Sequence, residues 1–526
     1  MRAKPAMLPI GVHNFEKIRQ NNYLYVDKTD KLLELVTSSS WCFLSRPRRF
    51  GKSLTLSTLD AMFSGKRELF AGLGAAEWVA GQEKHPSPVL RLDMAQFLTE
   101  DRKSFEHSLY LNMKIFGQKR GFTMPRGEEE GPAGALIDVI EGLYNDKKPV
   151  VVLIDEYDKP ILDNIADMGA ADEMRQSLRS FYTVLKSYDE YLRFVMLTGI
   201  SKFSKAGVFS AMNNLEDISM DRQYGDIVGY TQEEMEKYFT EWIDDAAGRM
   251  KLERAELCRD LKDYYDGFCF DGQTRLYNPF SIMQALKKGK IADYWYQSGS
   301  PVFIVTYMKR NGIHDPDEYR HKEVTEEFAE TQEIENSTPE SFLFQSGYLS
   351  IEKWENDTLT LDYPNFEVRK SLVRMYLDSV YHIKNYITLG NKLWQSLSDG
   401  DLEETVVLFN IALSGIPYSD FTDQSTDQSE QFYRALFLML LRGAGITAYG
   451  EVHTHLGRSD VLIQFPKRVV VLEFKFAKNG NGIKSLREEG QKQILEKGYA
   501  KPYDLEQRTI STAVVVINGK KHEAVL

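Results

Sequence analysis

Only three cysteines, Cys42, Cys258 and Cys269, occur in 526 residues. They are odd in number, far apart and without paired spacing, which excludes a disulfide framework and a thiolate zinc site and leaves buried, inert thiols. No stretch approaches the roughly 18 apolar residues of a membrane span. The opening MRAKPAMLPIGV also lacks the continuous apolar core of a secretory signal. A cytoplasmic protein without a membrane partner is expected. Positive charge is not in excess either: a net charge of −12 argues against a chain that coats nucleic acid through bulk electrostatics. The balance is uneven, because residues 451–526 hold 13 Lys/Arg against 9 Asp/Glu, a local charge of +4 that permits a polyanionic partner there.

What is present is the composition of an ordinary folded protein, 42% hydrophobic and 27% charged, in a chain long enough for several domains. Apolar runs at 41–45, 87–94, 149–154 and 192–198 read as strands, separated by helical patterns such as 104–118 and 172–187. Alternation of this kind predicts an α/β fold with a mostly parallel sheet covered on both faces. From about residue 229 the pattern turns helical, and Thr231 with Glu234 makes a capping box. Residues 341–377 read as helix end, two strands around ENDT, then helix, either a winged-helix-like element or a generic hairpin between helices. Polar stretches at 314–340 and 419–430 read as boundaries, and no internal repeat is evident. The expected organisation is a parallel-sheet core over 1–228, a helical and winged-helix-like middle region over 229–418, and a small domain over 419–526 of order αβββαβ.

The segment SRPRRFGKSLTL carries the end of a phosphate-binding loop in Gly51, Lys52 and Ser53, while Arg46 stands where the first glycine of the pattern belongs. Such a loop works because successive backbone N–H groups converge at a helix start whose dipole adds to the attraction for phosphate. Pro47 favours extended backbone at Arg46, so Arg46 can close the strand while the N–H groups from Arg48 to Ser53 still wrap a phosphate. The nucleotide-binding candidates are Arg48, Arg49, Phe50, Gly51, Lys52, Ser53 and Leu54. Lys52 would reach the terminal phosphates and Ser53 would ligate Mg²⁺. Arg48 and Arg49 either line the phosphates or sit on a solvated loop. About a hundred residues on, VVVLIDEYDKP ends an apolar strand in Asp155, a second magnesium ligand, and Glu156, the candidate base that activates water. Thr198 and Ser201, at the end of the next strand, are either a γ-phosphate sensor or ordinary strand-end hydroxyls. Arg179, Arg193 and Arg222 do not stand out as arginine fingers.

These segments, together with YVDKT, LTGISKFSKAGVFSAMNNLEDIS, YNPFSIMQAL and FQSGYLSIEKW…YPNFEV, closely resemble the AAA-ATPase-like family found in many bacteria and archaea. The resemblance covers residues 5–290 strongly and the middle region well. It implies ATP binding, hydrolysis at the level of the family, and a loop whose first glycine is commonly absent.

That family often carries a C-terminal domain similar to the PD-(D/E)XK nucleases. In GRSDVLIQFPKRVVVLEFKF, Asp460 opens one strand, while Glu473 and Lys475 lie two apart and hence on one face of the next. Charges inside so apolar a run are costly unless compensated. A divalent ion held by Asp460 and Glu473, with Lys475 orienting a water, would compensate both, and hard carboxylate ligands suit Mg²⁺. Glu430 and Gln493 match the accessory positions of the nuclease fold, and Glu430 alone also fits a carboxylate favoured by a helix start. His453 and His455 read better as polar strand residues than as ligands. The expected function is an ATP-binding, ATP-hydrolysing protein coupled to Mg²⁺-dependent cleavage of nucleic acid, DNA or RNA. Two alternatives stand beside it: a regulatory ATPase switch whose C-terminal domain binds nucleic acid or protein without cutting, and a scaffold that binds nucleotide structurally.

Overall fold

The computed structural model describes residues 6–144, 147–202, 214–297, 304, 307–308, 316–329, 338–379, 381–383, 385–416, 430–454, 457–504 and 507–526. The chain divides into two compact units, residues 1–298 with 319–367 and residues 299–318 with 368–526. The helices expected to form a middle region are shared out between them: those over 232–288 belong to the first unit and those over 386–414 to the second.

In the first unit, strands β1 (Trp41–Ser45), β2 (Val89–Asp93), β3 (Val150–Asp155), β4 (Leu192–Gly199) and β5 (Glu216–Asp217) form a parallel sheet in the order β2-β3-β4-β1-β5. Every residue of β1 and β3 is buried, as a strand covered on both faces requires, and this is why both read as continuous apolar runs rather than alternating ones. Helix α1 (Lys52–Phe63) follows β1 directly. Because the strands are parallel, their carboxyl ends share one edge, where ligands bind in open α/β sheets. In the ladder Asp93 pairs with Asp155 and Leu44 with Thr198. The short β5 had no apolar run to announce it.

Helices Gln232–Tyr238, Thr240–Met250, Arg254–Tyr265 and Pro279–Lys288 share a core with Leu8 and Val26 from the lead-in. The capping box of Thr231 and Glu234 is formed, and Glu234 also accepts Lys28 Nζ at 2.6 Å, tying YVDKT to this helix. Strands β6 (Lys322–Thr325), β7 (Ser350–Glu355) and β8 (Thr358–Asp362) make an antiparallel sheet in the order β6-β8-β7. The two strands around ENDT are thus present, but β6 lies in the stretch read as a polar boundary. Its KEVT pairs through backbone groups and keeps its side chains largely exposed, so burial left no pattern.

In the second unit, α2 (Glu430–Gly443) leads into β9 (Ala448–Thr454), β10 (Gly457–Gln464) and β11 (Arg468–Ala477), followed by α3 (Ile483–Lys497), β12 (Thr509–Asn518) and β13 (Glu523–Val525). The sheet runs β13-β12-β11-β10-β9, with β11 and β12 parallel across the α3 crossover and the other pairs antiparallel. This is the expected αβββαβ order with β13 added at the edge. Phe476 of β11 stacks on Tyr433 of α2, and Phe474 packs at a tilt against Phe437. Val469, Val471 and Ala477 share a cluster with Ile494 of α3. The thiols are free, and burial raises those of Cys42 and Cys269 to about 12 and about 11. No described helix is long and apolar enough to cross a membrane.

Candidate functional sites

A cavity of about 760 Å³ in the first unit is lined by residues 48–55, by Asp155 and Glu156, and by an apolar side that includes Pro9, Val12, Tyr230, Phe280 and Met283. At its base Gly51 adopts φ 106°, a conformation that suits glycine, and it caps α1 without a side-chain bond to the first-turn N–H groups. Arg49 is also left-handed at φ 69°, a cost for a residue with a Cβ that is tolerated where function fixes the backbone. Together these turns bend the loop into a concave run of N–H donors suited to anions.

Lys52 is buried, and its Nζ donates to the carbonyl oxygens of Arg46 and Pro47 at 2.7 and 3.1 Å. Burial lowers its pKa, opposed by Asp155 and Glu156. Two loop carbonyls therefore hold the ammonium where a phosphate would be the stronger partner. Asp155 ends β3 buried and accepts from Thr198 Oγ1 at 2.7 Å and from Glu156 N at 3.1 Å. Glu156 is left-handed at φ 49° and lines the cavity, and burial raises its carboxyl. Lys52, Ser53, Asp155 and Glu156 thus line one cavity. The pocket, the left-handed glycine and the buried carboxylate near a lysine fit a nucleotide with Mg²⁺, which Ser53 and Asp155 would hold.

Several candidates occupy places other than the phosphate surface. Thr198 spends its hydroxyl on Asp155, and Ser201 donates its hydroxyl to Asp158 at 2.7 Å. The Phe50 ring is buried against Phe268 and Phe270, leaving its backbone for a ligand. Arg49 lies over Phe280 with 4.9 Å to the ring centroid. Arg46, at the missing glycine, is buried over Phe270 at 4.4 Å and donates to Ser219 O at 2.5 Å. Arg193 and Arg222 pack on Phe63 and Trp354.

Sequence reasoning missed Arg91, a cavity residue whose Nη2 donates to Ser53 O at 3.1 Å. Its signal was a charge inside the strand VLRLD, the same signal that singled out Glu473. It also missed why FQSGYL belongs to the signature. Gly347 has φ 86°, and a Cβ there would come within 2.5 Å of Pro47 in the phosphate loop.

The second unit brings Asp460, Glu473, Lys475 and Gln493 together. Asp460 is buried, its Oδ2 accepting from Phe474 N at 2.8 Å and its Oδ1 from Arg434 Nη1 at 2.7 Å. Glu473 is 2% exposed; its Oε1 accepts from Lys475 Nζ at 3.1 Å, and its Oε2 has no hydrogen-bond partner among the described residues. Burial, then the Asp460 charge, pushes its carboxyl up to about 7. Lys475 also donates to Gln493 Oε1 at 2.8 Å, and Gln493 in turn donates to Tyr499 at 3.1 Å. Glu430 is raised by burial and by Asp460. A buried carboxylate oxygen without a partner, beside a second carboxylate, fits a divalent ion. Arg434 was missed, although it lies four residues after Glu430 on the same helix face. His453 is exposed on β9, and His455 lies outside the described residues.

Comparison with known proteins agrees with this division. A family model for a predicted AAA-ATPase matches residues 9–209, and one for the PD-(D/E)XK nuclease superfamily matches residues 428–525. The chain is 32% identical over 504 residues to the uncharacterized protein in the vnfD 5′ region of Azotobacter chroococcum mcd 1, covering 94% of this chain and 93% of that one. The chain belongs to the AAA-ATPase-like family with a C-terminal PD-(D/E)XK domain. Among solved structures, this AAA-ATPase-like protein is similar to the Aeropyrum pernix ORC1 protein in complex with DNA, at TM-score 0.27 and 8% identity over 66% of this chain and 92% of that one. It is also similar to Cdc6p from Pyrobaculum aerophilum, at TM-score 0.25 and 13% identity over 66% and 93%.

Proposed function

We propose that this AAA-ATPase-like protein binds and hydrolyses ATP with Mg²⁺ and couples that cycle to Mg²⁺-dependent cleavage of nucleic acid by its C-terminal domain. The observation that carries the reading is the convergence of Lys52, Ser53, Asp155 and Glu156 on one cavity. Ser53 and Asp155 would hold the magnesium, which would supply neutralisation of phosphate charge. Lys52 leaves its two carbonyl partners for the phosphates, and the loop N–H groups orient them. Glu156 accepts the proton of the attacking water at its carboxylate. Residues 1–228, within the first compact unit, are the ATPase core, residues 419–526, within the second, are the nuclease-like domain, and the helices of 229–418 are divided between the two units.

In the C-terminal domain Asp460 and Glu473 would hold the ion, which supplies Lewis acidity toward a phosphodiester. Lys475, anchored by Gln493, orients the water and steadies the developing negative charge. The regulatory-switch reading keeps its place because of one observation: Arg434 already places a cation on Asp460. The full chain, given ATP with Mg²⁺ or Mn²⁺ and a panel of single- and double-stranded DNA and RNA, should cut at least one substrate, and Asp460→Ala should stop it. An uncut panel, with Asp460→Ala retaining the chain's nucleic-acid or protein binding, would favour the switch.

A further inference from the structure

Arg434 sits on α2, 9% exposed, between two carboxylates. Its Nη1 donates to Asp460 Oδ1 at 2.7 Å and its Nη2 to Glu451 Oε1 at 2.5 Å. The other Asp460 oxygen is taken by the N–H of Phe474 at 2.8 Å. The two expected metal ligands are therefore unequally served: Asp460 has a donor on each oxygen, whereas Glu473 Oε2 is buried with no partner among the described residues. A guanidinium on Oδ1 repels a second cation approaching the same carboxylate, and at this burial the repulsion is weakly screened.

We propose that Arg434 is a positioning residue that competes with the divalent ion for Asp460, holding the carboxylate in place without the ion and setting the concentration at which the ion binds. Glu451 makes the exchange feasible. A buried cation that lost its sole partner would be left uncompensated, but Arg434 already holds Glu451 and can keep it after releasing Asp460. Glu451 is in turn fixed by Arg458, whose Nη1 donates to its Oε2 at 3.0 Å. The inference rests on the reading of Asp460 and Glu473 as metal ligands.

The test is Mn²⁺ titration of the chelator-stripped full chain, without nucleotide, by calorimetry and by the electron paramagnetic resonance signal of free Mn²⁺. Arg434→Gln keeps a donor for Asp460 and removes the charge that repels the ion, so it should bind Mn²⁺ at least about tenfold tighter than the wild type. Glu451→Gln deprives Arg434 of its charged alternative and should bind Mn²⁺ several-fold more weakly, which keeps the inference testable if Arg434→Gln fails to fold. A folded Arg434→Gln with equal or weaker affinity overturns the inference, as does a Glu451→Gln that binds as well as or better than the wild type. If the wild type and Arg434→Gln bind no more Mn²⁺ than Asp460→Asn does, the metal reading falls, and this inference with it.

Discussion

The Thr198 hydroxyl donates to Asp155 Oδ1 at 2.7 Å, with both side chains buried at the ends of neighbouring strands. A donor there fixes which oxygen of Asp155 remains for an ion, the role that outer-shell partners of metal ligands play. Thr198→Val keeps the shape and removes the bond. ATP affinity should stay close to that of the wild type, while Mg²⁺-dependent phosphate release falls roughly 10- to 100-fold. Unchanged phosphate release would show that Asp155 holds its orientation without Thr198.

Lys52 is buried with two carbonyl partners. These neutral acceptors leave its charge only partly compensated, and a triphosphate would compensate it fully. Lys52→Ala should therefore lose ATP binding. Calorimetry on a folded variant that still bound ATP at wild-type affinity would remove the loop from the nucleotide site.

Glu156 carries a carboxyl raised by burial, an effect that Lys52 opposes and Asp155 reinforces. A raised carboxylate is the better base near neutral pH. Glu156→Gln should keep ATP bound and slow turnover by about 10²- to 10⁴-fold. In the wild type, turnover should rise with pH as the carboxyl deprotonates. Single-turnover phosphate release by the variant at the wild-type rate would place the base elsewhere.

Much of this was legible because it lay in strands buried on both faces. VVVLID and WCFLS admit no polar residue except at the end facing the ligand, so Asp155 and the loop after Ser45 mark themselves. The αβββαβ order was legible for the same reason, since Glu473 and Lys475 interrupt an otherwise apolar β11. Legibility failed where backbone pairing replaced burial: β5 and β6 are short and largely exposed, and β13 adds an edge after a turn. It failed again where function depends on partners distant in sequence. Arg434 gains its meaning from Asp460, 26 residues on, and Gly347 from Pro47, far earlier in the chain.

Glu367 is fully buried in the first unit, where its Oε1 accepts from Trp295 N at 2.7 Å. Burial pushes its carboxyl up from 4.5 to about 8. Between those values the folded chain holds a proton that the unfolded chain has released, so stability falls as pH rises. The contribution is full below about pH 4.5 and is lost as pH passes through about 8. Glu367→Gln replaces the protonated acid with a neutral amide of nearly the same size, which cannot be forced to ionise. Urea midpoints of the variant and the wild type should match near pH 5, and above pH 8 the variant should be the more stable. A wild type whose midpoint fell with pH no faster than the variant's would mean that a buried cation or water already compensates the ionised carboxylate.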